Sequence, residues 1–150
     1  MKMSYNIGEL KVIYKTTAIA KTRIVSSNNT AELLREIWDA DLIEYVEQVC
    51  LLCLSRSNRV IAYNFLATGG TAGCVVDAKV IFQAALLSNA SSIIISHNHP
   101  SGNLQPSTAD FCLTTKLWKI GRELDIPLLD HVIMTKDNYH SMADNGELGY

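Results

Sequence analysis

The sequence predicts a layered α/β fold, a mixed β-sheet flanked by helices. Three observations predict it. The runs Val49-Cys50-Leu51-Leu52-Cys53-Leu54 and Ile93-Ile94-Ile95 are apolar without polar alternation, as expected of strands covered on both faces. Segments with helical spacing of apolar residues lie between and beyond these runs. The chain of 150 residues is 48% hydrophobic and 19% charged, enough apolar mass for one domain with a real core.

Each element follows from local signals. Residues 10–16, LKVIYKT, read as a short strand. Asn28, Asn29 and Thr30 offer capping side chains for a helix over about 30–42, with Leu34, Ile37, Trp38 and Leu42 on one side. The run QVCLLCLS is a strand, Arg56 to Arg59 a turn, and VIAYNFLATGG a returning strand, so the pair forms a hairpin. Cys74 to Val76 adds a short strand. Asp77 caps a helix over about 78–90 that is apolar nearly all round and is expected to be buried. SSIIIS is a buried strand. Ser107 to Leu124 is a long helix, Pro127 to Met134 a strand, and Tyr139 to Met142 a final strand after the turn Lys136-Asp137-Asn138. Residues 1–43 form a strand-plus-helix extension packed on the domain of residues 44–150.

The bulk numbers exclude some functions. A net charge of −2 argues against a protein that clamps duplex DNA by bulk electrostatics. No apolar run reaches the roughly 20 residues of a membrane span, and the first residues lack a secretory apolar stretch. The expected location is therefore cytoplasmic. Four cysteines are present. Cys50 and Cys53 have C-x-x-C spacing, but on a strand an offset of three puts them on opposite faces. They read as buried structural thiols.

The chemistry concentrates in His97-Asn98-His99-Pro100-Ser101-Gly102-Asn103-Leu104-Gln105-Pro106-Ser107-Thr108-Ala109-Asp110. Histidines two apart at the end of a strand point to the same side. Imidazole suits zinc, and a carboxylate can complete a set of three ligands. Pro100, Gly102 and Pro106 force a compact turn that can return the next helix over the histidines. On that helix Leu113, Leu117, Ile120 and Leu124 define a buried stripe, and Asp110 lies three residues before it. A carboxylate aimed at a core needs a partner. Taken alone, Ser107-x-x-Asp110 reads as a capping box; the histidines upstream favour a ligand role. The HNH nuclease unit is a poor match, because its residues are spread over a longer span. Zinc nucleobase deaminases have a related layered fold but need His-x-Glu and Pro-Cys-x-x-Cys, which this chain lacks.

The pattern His97-x-His99-Pro100-x6-Ser107-x2-Asp110 resembles the JAMM motif of JAB/MPN zinc peptidases. With Leu129-Asp130-His131 downstream and an Ala-rich helix upstream, it is similar specifically to the RadC-like family over residues 44–143. The resemblance implies zinc held by His97, His99 and Asp110 and an upstream glutamate acting on a zinc-activated water. The matching position is Glu47, with Glu44 the fallback. It also implies hydrolysis of an amide in a peptide or protein substrate, with Ser107 donating to the oxyanion. Ser107 is also the natural helix cap, and the two roles compete for one hydroxyl. His131 is expected to orient a ligand or pack beneath the site, and His140 to be structural or solvent-exposed.

There are departures. Too little chain precedes Glu47 for the helical DNA-binding region of full-length RadC-like proteins, which weakens a DNA-repair role. Lys79 stands where the family suggests arginine, and lysine cannot make the same bidentate contacts. The long insertions with which deubiquitinating relatives grip ubiquitin are missing. The alternative function is a DNA-associated accessory protein with a structural zinc, for which Lys116, Lys119 and Arg122 offer a small basic side.

Overall fold

The structure is a computed structural model and describes residues 22–69 and 76–149. Among these residues the order is α1 (Ser27–Ile37), β1 (Gln48–Leu54), β2 (Val60–Thr68), α2 (Ala78–Leu87), β3 (Ser92–Asn98), α3 (Thr108–Glu123), β4 (Leu128–Met134) and β5 (Tyr139–Ser141). The strands form one sheet in the order β2-β1-β3-β4-β5. β3 and β4 are parallel and the other neighbours antiparallel, so the sheet is mixed, as the sequence predicts. The strands expected over residues 10–16 and 74–76 fall wholly or mostly outside the described residues; Val76 itself is not in a strand.

The uninterrupted apolar runs become the central strands β1 and β3, every residue of which is buried. Alternate residues serve opposite faces. Val49, Leu51, Cys53, Ile93 and Ile95 pack under α2 and α3 with Ile81, Phe82, Ala85 and Leu117. Cys50, Leu52, Leu54 and Ile94 pack against α1 through Ala31, Leu33, Leu34 and Trp38. Cys50 and Cys53 are thus free buried thiols on opposite faces, as expected. Burial pushes both thiols above their ordinary range, which makes them poor nucleophiles.

All three helices differ in detail from expectation. α1 starts earlier, because Ser26 in extended backbone caps it by accepting from Asn29 N. It also ends at Ile37, where Trp38 turns extended, so Leu42 lies in a following turn. α2 is not buried all round: Val80, Leu86 and Leu87 are exposed, because the helix meets the sheet along one stripe only. In α3 the inward positions are Thr114, Leu117 and Gly121, and Leu124 is exposed. No helix of the described residues is long and apolar enough to cross a membrane.

Candidate metal centre

The strand directions choose where the site lies. β3 runs into His97, and parallel β4 ends at the same end of the sheet. β1 is antiparallel to β3, with Val49 opposite His97, so the residues just before β1 lie there too. Glu47, half-buried, precedes β1 by one residue, and its carbonyl accepts from Gly69 N at 2.8 Å. After β3 the chain turns sharply: Gly102 N donates to His99 O at 3.0 Å, and Gly102 adopts φ of 80°, a left-handed conformation that favours glycine. The turn returns the first turn of α3 to the histidines.

The three expected ligands converge. His97, His99 and Asp110 each offer a ligand atom within 4.8 Å of the others. His97 Nε2 and His99 Nε2 are 2.9 Å apart, and Asp110 Oδ1 is 3.2 Å from His97 Nε2. Asp110 Oδ2 is 3.8 Å from His99 Nε2. Asp110 also completes the capping box. Its Oδ2 accepts from Ser107 N at 2.6 Å and Ser107 Oγ at 2.8 Å, while Ser107 Oγ accepts from Asp110 N. The cap and ligand readings of Asp110 are therefore compatible: the carboxylate turns Oδ2 to the cap and Oδ1 to His97. Burial pushes the Asp110 carboxyl upward, but the hydrogen bond and charge of His97, with the Ser107 bonds, outweigh it and hold it well below the carboxylate range.

The donor set suits a cation. His99 Nδ1 lies 2.6 Å from Asn103 O. A carbonyl only accepts, so Nδ1 carries the hydrogen and a neutral His99 directs the Nε2 lone pair into the site. Two imidazole nitrogens and a carboxylate at this spacing are a group that could hold a metal ion.

Behind His97, its Nδ1 contacts His131 Nε2 at 2.8 Å, and His131 Nδ1 contacts Thr114 Oγ1 at 2.6 Å. His131 is fully buried, and that burial, with His97 next in effect, lowers its pKa to about 3. It stands behind the ligand set, in agreement with the expected orienting or packing place. His140 is half-buried and pairs with Glu147 at 2.7 Å. Glu44 is exposed and pairs with Lys136 at 2.8 Å. Lys79 is exposed, and its backbone N–H donates to the capping Asp77.

Sequence reading missed three residues. Asn98 is buried and links β3 to the approach to Glu47, Asn103 orients His99, and Thr114 meets His131. Asn98 did carry a signal, being a buried amide in a strand. Asn103 and Thr114 act through a backbone carbonyl and a hydroxyl, for which spacing gives no sign.

A family model described as RadC-like JAB domain matches residues 24–147. The chain belongs to this family. The match takes in His97, His99, Asp110 and His131, and Glu47 ahead of β1. Relatives include the UPF0758 protein of Flavobacterium johnsoniae, 43% identical over 100 residues, covering 67% of this chain and 44% of that protein. The UPF0758 protein of Chlorobaculum parvum is 40% identical over 105 residues, covering 70% of this chain and 47% of that one. The UPF0758 protein of Chlorobium chlorochromatii is 37% identical over 125 residues, covering 77% and 56%. This RadC-like JAB chain spans about half the length of the relatives it matches.

Proposed function

We propose that this chain is a zinc-dependent hydrolase that cleaves an amide bond in a peptide or protein substrate. The observation that carries the reading is the convergence of two imidazole nitrogens and a carboxylate oxygen at the end of the sheet where β3 and β4 finish. Catalytic zinc is commonly held by three protein ligands with water or substrate as the fourth, whereas structural zinc takes four protein ligands. Bound there, zinc would supply Lewis acidity, polarising a carbonyl and lowering the pKa of a water to about 7.

The chain's own residues divide the remaining work. His97, His99 and Asp110 hold the metal. Glu47, at the same end of the sheet, accepts the proton of the attacking water and returns it to the leaving nitrogen. Ser107 Oγ, now donating to Asp110, would have to exchange that acceptor for the oxyanion of the intermediate. Its capping role gives it a reason to be serine in either case.

The test combines metal content with turnover on a panel of peptides and isopeptides. Wild type should bind about one zinc per chain, the stoichiometry of a single three-ligand site. Glu47→Gln should keep the metal and lose about 100- to 10,000-fold in turnover. His97→Ala and Asp110→Ala should lose both. A wild-type chain that takes up no zinc ends the proposal. The competing DNA-associated reading draws on Lys116 and Lys119, exposed along one side of α3. Salt-dependent DNA binding by wild type, lost in a Lys116→Glu/Lys119→Glu variant, would favour it.

A further inference from the structure

We infer that the cavity at the other end of the sheet from the candidate metal centre binds a short peptide with both termini free, its carboxylate at Arg56 and its ammonium at Asp125. The inference does not depend on the hydrolase reading. β3 begins at Ser92, which lines this cavity, and reaches His97 after roughly 17 Å of extended chain.

The cavity has a volume of about 610 Å³, within the usual range of small-ligand pockets. Three connections build it: the β1–β2 turn, the α2–β3 loop and the α3–β4 loop. Asn58, Asn89 and Asp125, one from each, have left-handed backbone, and they are the only non-glycine residues that do so among those described. Asn and Asp tolerate this conformation best, so three turns of one kind surround one hollow. Ser92 is 5% exposed, and its hydroxyl has no hydrogen-bond partner among the described residues. The side chains of Arg56, Asn58, Asn89 and Asp125 also have no protein partner among those residues. A nearly buried hydroxyl left unpaired is costly. A ligand in the cavity would answer it, and the four side chains around it are free to take part.

The arrangement selects the class of ligand. Arg56 follows β1 and Asp125 precedes β4, and these strands flank β3 on its two sides. The two charges therefore stand two strand spacings apart, roughly 10 Å. A free amino acid carries its charges on one carbon and cannot reach both. An extended chain of about three residues can. Asn58 and Asn89 each present a donor and an acceptor, the complement of a peptide group. Leu86, Leu124 and Leu129 are exposed and give the peptide's side chains an apolar wall. A phosphate ester would meet Asp125 as a like charge. A neutral sugar would leave both charges unanswered and the leucines bare.

The test titrates the full chain with trileucine and follows its backbone amides by NMR. The amides of Asn89, Ser92 and Asp125 should shift and saturate, with a Kd on the order of 0.1–1 mM. A chelator that stops any turnover should leave these shifts unchanged. Acetylating the amine of trileucine, or amidating its carboxyl, should weaken binding about 10-fold in each case. Asp125→Asn keeps a residue that tolerates the left-handed turn. It should weaken trileucine about 10-fold and the acetylated peptide no further. Arg56→Gln should pair in the same way with the amidated peptide. Both substitutions are at exposed residues, outside the core. No saturable shift at the cavity by about 10 mM peptide overturns the proposal, as do shifts confined to the His97–Asp110 end. So does an Asp125→Asn variant that binds the acetylated peptide as much more weakly as it binds the free one. If the chain dimerises without peptide and the same amides shift on dilution, a second copy fills the cavity and the proposal is overturned.

Discussion

A single side-chain amide, that of Asn98, ties the histidine strand to the segment that carries Glu47. Its Oδ1 accepts from Gln48 N at 2.7 Å, and its Nδ2 donates to Ile43 O at 2.7 Å and Val46 O at 2.8 Å. Two of these bonds bracket Glu47 in the chain. Asn98→Ala would strand three backbone groups, each worth roughly 1–3 kcal/mol when buried and unpaired. With partial rehydration the expected loss is about 2–4 kcal/mol, read by urea unfolding of metal-free protein. A loss below about 0.5 kcal/mol, the range of an ordinary surface change, would show that the clamp is not structural. The convergence of His97, His99 and Asp110 was legible, since two imidazoles, a turn and a carboxylate lie within fourteen residues. The clamp was not, because its partners lie some fifty positions earlier and are backbone atoms with no residue signature.

At the scale of the element, α3 shows why hydrophobic periodicity finds a helix more readily than its phase. The stripe read from Leu113, Leu117, Ile120 and Leu124 shares only Leu117 with the residues the helix buries, Thr114, Leu117 and Gly121. Thr114 faces inward as a polar residue because it meets His131. Gly121 faces inward because the backbone after the helix crosses it closely: a Cβ there would lie 2.5 Å from Ile126 O. Neither scores as apolar, so the apparent stripe shifts toward leucines that are only half-buried or exposed. Gly121→Ala tests the crossing. In an open helix alanine would gain about 0.5–1 kcal/mol. Here overpacking against the backbone should reverse the sign and cost about 1–3 kcal/mol. Thermal unfolding reads the sign directly, and a stabilised variant would refute the close crossing.

For the whole molecule, the sheet divides the work between its faces. One face, under α2 and α3, leads to the candidate metal centre; the other, under α1, is apolar packing. Leu34, fully buried on the α1 side, is therefore a probe of stability without chemistry. Leu34→Ala should cost about 2–5 kcal/mol with zinc affinity unchanged below the unfolding transition, as chelator competition would show. A parallel loss of affinity would mean the two faces are not independent. Most strands and helices, and the pairing of β1 with β2 as a hairpin, were legible in sequence, but not the order of the remaining strands, which sets β3 between β1 and β4. The split carboxylate of Asp110 has a further consequence for the chain's geometry. A helix advances about 100° per residue, so one residue inserted between Ser107 and Asp110 would swing that oxygen more than a quarter-turn off target. One inserted between Asn103 and Pro106 would merely lengthen the path. The centre tolerates slack in its approach and none in its angular phase.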